Sequence, residues 1–247
     1  MNFTILRFDE IDSTNTEALN QAKRGANEGL CVVARQQTAG RGRMGRVWIS
    51  EKDAGLFFSI VLRPPLETRF LPLVTLMSGT AVHDTLETLY NIDCDIKWVN
   101  DVYVAGKKIC GILAETTETT NGPAVVVGIG INLKSTNFPP EISATATSIE
   151  AETKQLPNVE ALLQKLTFFL SEYCELFYGA GGAEKIREEW TKRSSYAFGK
   201  RVRVMLENET IHGTTRGIEA NGALRVELDS GEIRTVHAGD VENLRSF

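Results

Sequence analysis

The sequence lacks the residue patterns that mark several common classes of metal and redox proteins. Among its 247 residues are only three histidines and four cysteines. The histidines are isolated and no two cysteines form a Cys-x-x-Cys pair, so no metal-ligand spacing is present. We expect the cysteines to be buried thiols in a reducing compartment. They are Cys31, Cys94, Cys110 and Cys174.

Long apolar runs and a positive net charge are also absent. No run approaches the roughly 20 residues that span a bilayer, and the first residues, MNFTILRFDE, do not resemble a signal peptide. The chain carries 27 Lys and Arg against 32 Asp and Glu, a formal net charge of −5. This balance disfavours general binding to nucleic acid. We therefore expect a cytoplasmic protein that binds neither membranes nor DNA.

Apolar periodicity predicts an α+β domain followed by a small all-β domain. Buried strands are predicted at LCVVA, GLFFSIVLRP and PAVVVGIGINL, and helices near 70–90, 158–178 and 182–194. An earlier helix is predicted to begin with a capping box of Thr14 and Glu17 and to end at Gly25. From about Phe198 onward, short strands and turns alternate about every ten residues. This spacing is typical of a small β-barrel, which we expect to dock on the larger domain because about 50 residues are marginally stable alone.

The most unusual stretch is GRGRMGR at 40–46, which combines three glycines with three arginines. Glycine allows backbone N–H groups to approach a ligand closely, and guanidinium groups pair bidentately with phosphate or carboxylate. Arg41 and Arg43, at alternate positions, are able to converge on one anion. The stretch alone leaves three interpretations open: an arm that binds nucleic acid, a solvated loop, or a lid that binds an anion.

The stretch KWVNDVYVAGKKICGILAE, 97–115, predicts a β-hairpin that turns at Ala105-Gly106. Asn100 and Asp101 are expected near the centre of its first strand. Lys108, which opens the second strand, is either a surface lysine or a fixed positive charge in a cleft. Asp101 is a candidate ligand of Mg²⁺, which prefers carboxylate and water oxygens.

The strand that ends in GIGIN, 128–132, contains glycines that indicate close approach by a ligand or another backbone. The motif is not Gly-x-Gly-x-x-Gly and no helix follows it directly, so a dinucleotide fold is not expected. Asn132 either reads the edge of an adenine through its paired donor and acceptor or is a turn residue at the strand end.

Five motifs, in order and in register, together resemble those of the biotin protein ligase family over essentially the whole chain. They are DSTN (12–15), QTAGRGRMGRVW (37–48), KWVND (97–101), GKKICGILAE (106–115) and GIGIN (128–132). The resemblance implies a class II synthetase-like catalytic fold, a mixed β-sheet flanked by helices, over 1–195. An SH3-like barrel over 196–247 is implied to follow it.

The same resemblance implies an enzyme that uses ATP and Mg²⁺. Biotin and ATP would give biotinyl-5′-AMP and pyrophosphate. A specific lysine of the biotin carboxyl carrier protein would then accept biotin and release AMP. We also expect a homodimer.

The resemblance assigns roles residue by residue. The biotin-binding residues are Ser13, Thr14, Asn15, Gln37, Gly40, Arg41, Lys108, Gly111 and Gly128. The residues that bind ATP or the adenylate are Arg41, Arg43, Trp48, Asn132 and Arg245. Lys108, Arg41 and Arg43 are the expected catalytic residues, because they would stabilise charge on the biotin carboxylate and the α-phosphate. Asp101 is the expected Mg²⁺ residue. Trp48 would pack over the ligand, although an ordinary core tryptophan is the alternative.

Two residues depart from the family pattern: Val99 replaces its usual proline, and Met44 replaces its usual Arg or His. The chain also starts directly at the catalytic domain, so the DNA-binding repressor role of some family members is not expected. Two alternative functions remain. A lipoate–protein ligase or octanoyltransferase of the same fold is disfavoured by the GRGRMGR loop, and a basic-loop module that binds nucleic acid is disfavoured by the acidic net charge.

Overall fold

The secondary structure mixes strands and helices up to residue 192, and from there to residue 243 its regular elements are strands. The computed structural model describes residues 1–65, 67–134 and 138–243. In chain order the elements are β1 (Thr4–Phe8), α1 (Thr14–Lys23), β2 (Leu30–Ala34), β3 (Gly55–Leu62), α2 (Pro72–Tyr90), β4 (Asp95–Lys97), β5 (Asp101–Val104), β6 (Lys107–Thr117), β7 (Ala124–Asn132), α3 (Pro140–Ser143), α4 (Ile149–Thr153), α5 (Val159–Tyr178), α6 (Gly182–Lys192), β8 (Phe198–Met205), β9 (Thr210–Ile218), β10 (Leu224–Leu228), β11 (Ile233–Val236) and β12 (Asp240–Asn243).

The first seven strands form one mixed sheet in the order β1-β2-β3-β7-β6-β5-β4. β1 and β2 are parallel because α1 forms the crossover between them. The other neighbouring strands of this sheet are antiparallel. The α+β prediction of a mixed sheet flanked by helices is confirmed.

The two faces of this sheet are covered differently. Alternate strand residues point to opposite faces. Phe58 and Ile129 belong to the large core that also contains side chains of α2, α5 and α6. On the opposite face, Val126 packs with Ala18 and Ala22 of α1 in a much smaller cluster. Because α1 covers only part of that face, the remaining part is available as the floor of a cleft.

The C-terminal strands form a five-stranded antiparallel sheet in the order β11-β10-β9-β8-β12. The predicted succession of short strands is confirmed. Within 1–65, 67–134 and 138–243, no ladder joins the edge strands β11 and β12. The sheet docks on the larger domain as expected, since Trp98 Nε1 donates a hydrogen bond to Gly222 O at 2.9 Å and Arg187 Nη2 donates one to Ile218 O at 3.2 Å. The boundary between residues 195 and 196 stays a prediction.

The start of α1 differs from the predicted capping box. Ser13, not Thr14, is the N-cap, and its Oγ accepts a hydrogen bond from Thr16 N at 3.5 Å. Glu17 instead accepts one from Gln21 Nε2 at 2.6 Å. The prediction was wrong because Thr14 uses its hydroxyl in a tertiary contact with Gln37, which no local pattern reveals.

The predicted hairpin at 97–115 is confirmed at its Ala105-Gly106 turn, but its first strand is divided. β4 ends at Lys97 and β5 begins at Asp101, so Asn100 lies in a turn rather than at a strand centre. Asn100 instead joins the backbone of Ile112: its O accepts from Ile112 N at 2.8 Å, and its Nδ2 donates to Ile112 O at 3.0 Å. These contacts fix the corner at which Val99 departs from the family pattern.

Two predictions about composition can also be compared with the structure. All four cysteines are buried and free, as predicted. Burial raises the pKa of the Cys31 thiol to about 12, so this thiol stays protonated at neutral pH. Across the described ranges, no helix combines the length and apolarity needed to cross a bilayer.

Candidate active site

A cavity of about 280 Å³ lies on the face of the sheet that α1 leaves uncovered. Its floor includes a row of paired residues, Gly111 of β6, Gly130 of β7 and Phe57 of β3. A Cβ atom added to Gly111 or Gly130 would lie 2.7 or 2.6 Å from the ring of Trp48. The indole therefore rests directly on the two glycines, where any other residue would push it away.

One end of the cavity is a network of polar side chains that are buried, or half-buried in the case of Gln37. Gln37 Oε1 accepts hydrogen bonds from the Thr14 N–H at 2.8 Å and from the Thr14 hydroxyl at 3.0 Å. Ser59 Oγ lies 2.8 Å from Thr14 Oγ1 and 2.7 Å from Asn15 Oδ1. Asn15 lies over Gly128, since a Cβ there would be 2.2 Å from Asn15 Oδ1. Hydroxyl and amide groups in one network offer both donors and acceptors to a ligand.

The middle of the cavity holds an ion pair. Lys108 Nζ lies 2.7 Å from Asp101 Oδ1 and 5.3 Å from the centre of the Trp48 ring. Lys108 Nζ therefore already supplies a cationic partner to this carboxylate oxygen. Mg²⁺ binds one or two carboxylates together with phosphate oxygens, so Asp101 fits such an ion where Nζ gives up part of this contact.

The glycine–arginine stretch forms an arch at the mouth of the cavity. We define the arch as residues 41–47. Arg41 and Val47 form a β-bridge, and Gly42 N donates to Arg46 O at 2.7 Å. Met44 has φ 55°, in the left-handed region that non-glycine residues rarely adopt. Met44 is 69% exposed and Val47 is 77% exposed. The arch therefore presents apolar side chains to solvent at the mouth of the cavity.

Each arginine of the arch contacts a different part of the protein. Arg41 makes two hydrogen bonds to Glu115 of β6, at 2.8 and 2.7 Å. Arg43 donates one to Asn100 Oδ1 at 3.1 Å. Arg46 pairs with Asp240 of the C-terminal sheet at 2.5 Å.

The electrostatic environment beside the arch favours an anion. Burial lowers the pKa of Arg43, although the charges of Asp101 and Asp240 act in the opposite direction. Burial would raise the pKa of Asp240, but the hydrogen bond from Arg46 and the charge of Lys97 outweigh it and lower that pKa. The described residues that line the cavity include five cationic side chains and three carboxylates. A phosphate-bearing ligand would supply the further negative charge.

The strands that form the floor of this cavity lie within a segment whose sequence matches a known protein family. The sequence profile of the Biotin/lipoate A/B protein ligase family matches residues 8–132. The chain belongs to this family. The profile of the Biotin protein ligase C terminal domain matches residues 197–242, which cover the five-stranded sheet except for its last residue.

Similar proteins favour the biotin branch of this ligase family. Bifunctional ligase/repressor BirA from Bacillus spizizenii is 37% identical over 95% of this chain and 72% of its own length. Biotin--[acetyl-CoA-carboxylase] ligase from Mycobacterium tuberculosis is 32% identical over 94% of this chain and 86% of its own. A solved structure, biotin protein ligase from Aquifex aeolicus in complex with biotin and ATP, is 30% identical, with a TM-score of 0.84 and coverage of 98% and 99%. The prediction of a biotin–protein ligase is confirmed over the lipoate alternative.

In this ligase, nearly all of the predicted site residues line one cavity. They are Ser13, Thr14, Asn15, Gln37, Arg41, Arg43, Trp48, Asp101, Lys108, Gly111, Gly128 and Asn132. Gly40 stands beside the cavity, where a Cβ would lie 2.4 Å from Trp48 O, so it allows the two ends of the loop to meet. Arg245 lies outside the described residues. The individual roles in binding and catalysis stay predictions.

The side-chain amide of Asn132, which was predicted to contact adenine, already donates two hydrogen bonds within the protein. Its Nδ2 donates to Lys108 O at 3.3 Å and to Thr147 O at 2.9 Å. The amide N–H groups are thus used to join β7, β6 and the segment before α4. Reading an adenine edge would require at least one of these bonds to be exchanged.

Several residues of the site, among them Phe57 and Ser59, were not assigned from the sequence. Glu115 and Asn100 were in the recognised motifs but had no role, although they contact Arg41 and Arg43. Gly130 was noted as a close-approach glycine and could have been assigned from its register opposite Gly111. Asp240 gave no signal, because its partner lies 194 residues earlier.

Proposed function

We propose that this ligase first joins biotin to ATP in the cavity and then transfers biotin to a lysine of the biotin carboxyl carrier protein. The observation that carries the proposal is the position of Lys108. Its ammonium group lies between a glycine floor, a polar network and an arginine arch, a combination suited to a ligand that is neutral at one end and anionic at the other. Of the three interpretations of GRGRMGR that the sequence left open, the proposal adopts the lid that binds an anion.

The first step is nucleophilic substitution at phosphorus. A carboxylate oxygen of biotin attacks the α-phosphorus of ATP, the new P–O bond forms, and the bond to the pyrophosphate oxygen breaks with its electron pair. Lys108 is placed to stabilise the charge that increases on the phosphate oxygens, a preorganised contribution typically worth about 10²- to 10³-fold in rate per group. For this, Nζ exchanges part of its contact with Asp101 for ligand oxygens.

The second step is acyl transfer. The lysine amine of the carrier attacks the acyl carbon of biotinyl-5′-AMP and loses a proton, and AMP leaves with the electron pair of the broken C–O bond. The mixed anhydride is sensitive to water, and the arch is placed to exclude it. Neither step needs a histidine or cysteine at the reacting atoms, which agrees with a cavity whose polar groups are mainly cations and amides.

The rest of the cavity fits this division of roles. The network of Thr14, Asn15 and Gln37 suits the ureido group of biotin, which has both donors and acceptors. Asp101 would hold Mg²⁺ together with phosphate oxygens, and the ion would neutralise part of the phosphate charge. The homodimer and the cytoplasmic location stay predictions.

The proposed function is tested by covalent transfer of labelled biotin to an acceptor domain. The protein is incubated with ATP, Mg²⁺, labelled biotin and an isolated acceptor domain, and the domain is analysed by mass spectrometry. We expect one biotin per acceptor lysine, with pyrophosphate and AMP released in equal amounts. An acceptor domain with its lysine changed to arginine is the control. Activation of lipoate in preference to biotin would contradict the proposal.

A further inference from the structure

Glu115 occupies a position that the proposed roles leave unexplained. It lies on β6, on the same face of the sheet as Gly111, and both of its carboxylate oxygens are used. Oε1 accepts a hydrogen bond from Arg41 Nη1 at 2.8 Å, and Oε2 accepts one from Arg41 Nη2 at 2.7 Å. Oε2 also accepts one from Asn15 Nδ2 at 2.7 Å. A bidentate contact of this kind fixes the plane of the guanidinium group as well as its position.

The partner on the other side of Glu115 is itself rigidly held. Asn15 is 4% exposed. Its Nδ2 also donates to Leu113 O at 3.2 Å, and its Oδ1 lies 2.7 Å from Ser59 Oγ. Glu115 therefore connects the arch, through one carboxylate, to side chains that are fixed on the sheet.

The contacts of the other two arginines are different in kind. Arg43 makes a single hydrogen bond to the neutral amide of Asn100. Arg46 reaches a carboxylate of the C-terminal sheet, and its side chain is 64% exposed. Of the three arginines, Arg41 makes the contact that ties the arch to the sheet of its own domain with two parallel charged hydrogen bonds.

We propose that Glu115 is a positioning residue that holds the arch over the cavity through Arg41 and thereby retains the adenylate between the two steps. The proposal rests on the proposed function only for the identity of the retained ligand. Glu115 lies beneath the arch and orients the guanidinium group of Arg41 rather than contacting the reacting atoms.

The first experiment measures the arch without any ligand. Wild-type protein and the Glu115→Gln variant are digested briefly with trypsin, and cleavage after Arg43 and Arg46 is followed by mass spectrometry. We expect about five-fold faster cleavage in the variant, since a charged contact that is partly exposed contributes about that factor. The matched control is Asp53→Asn, which weakens a bidentate pair with Arg35 at 2.8 and 2.6 Å away from the arch. An unchanged rate in Glu115→Gln would overturn the proposal.

The second experiment measures retention of the ligand. Biotinyl-AMP formed on the enzyme is chased with unlabelled biotin, and we expect it to escape about five-fold faster from Glu115→Gln. If Glu115 acts through Arg41, the same change made in an Arg41→Ala background adds nothing, which a purely structural role would not produce. Slower or unchanged escape, or additive effects, would overturn the proposal. A wild type that forms no adenylate would refute the proposed function but would leave the digestion result to decide the role of Glu115.

Discussion

Replacing Gly128 with alanine should destabilise the protein through one contact. The backbone at Gly128 is not in the left-handed region, so alanine is acceptable there on conformational grounds. The added Cβ, however, would lie 2.2 Å from Asn15 Oδ1 and 2.9 Å from Asn15 Cγ. Neither atom is able to retreat freely, because Asn15 is buried and hydrogen-bonded on both sides of its amide.

The loss of stability in Gly128→Ala follows from the hydrogen bonds that the side-chain amide of Asn15 would lose when the added methyl group displaces it. Asn15 contacts Leu113 O, the Glu115 carboxylate and Ser59 Oγ. A neutral hydrogen bond contributes about 0.5–1.5 kcal/mol and one to a charged group about 1.5–3 kcal/mol. Because the network is able to relax in part, we expect Gly128→Ala to lower the free energy of unfolding by about 3 kcal/mol. For a chain of this size that corresponds to a fall of about 9 °C in Tm.

The assay is thermal unfolding of four proteins by circular dichroism: wild type, Gly128→Ala, Asn15→Ala and the double variant. If the damage is the clash with Asn15, the double variant is no less stable than Asn15→Ala alone, because the obstructing amide is gone. The coupling between the two sites is then at least as large as the loss in Gly128→Ala, about 3 kcal/mol, which is at the upper end of the range for residues in contact. Independent, additive losses would refute the reasoning, as would a Gly128→Ala protein with wild-type Tm.

Three further predictions concern charge. Lys108→Ala should reduce biotin-dependent pyrophosphate exchange by at least about 100-fold in protein that circular dichroism shows to be folded, and near-normal exchange would exclude its proposed role. Arg43→Gly should let biotinyl-AMP escape faster, measured as loss of labelled adenylate during gel filtration; an unchanged rate would argue against the lid. Burial would raise the pKa of Asp84, but hydrogen bonds from His83 and Arg193 outweigh it and lower that pKa to about 2. Because the pKa is lower in the folded state, this stabilisation is complete above about pH 4 and is lost as the pH falls towards 2. Urea titrations should show wild type losing about 2 kcal/mol more than Asp84→Asn across that window, whereas parallel losses would be inconsistent with the lowered pKa.

The strands and helices that position the site residues were largely predictable from the sequence. The residues that those side chains contact were not. Strand alternation and the motifs placed Lys108, Gly111 and Gly128 on strands that do line one cavity. The start of α1 was misplaced because Ser13 and Thr14 are both good caps, and only the tertiary contact of Thr14 with Gln37 decides between them.

The contacts of the arch had no local signal at all. Arg41 meets Glu115 at a separation of 74 residues, and Arg43 meets Asn100 at a separation of 57. These two pairs are set by the order of strands in the sheet, whereas the pair of Arg46 with Asp240, 194 residues later, is set by the docking of the second domain. Neither leaves a periodic trace in the sequence, so composition and spacing cannot reveal them.

The division of one sheet into two differently covered faces has a consequence for how this chain tolerates mutation. At the end of β7, Ile129 and Ile131 point into the large core, whereas Gly130 between them points into the cavity under Trp48. Saturation mutagenesis scored separately for abundance and for activity should therefore alternate from Ile129 to Ile131. Substitutions at the core-facing positions would lower the amount of folded protein, whereas substitutions at the cavity-facing position between them would lower activity. Selection for abundance and selection for catalysis therefore act on neighbouring, interleaved codons.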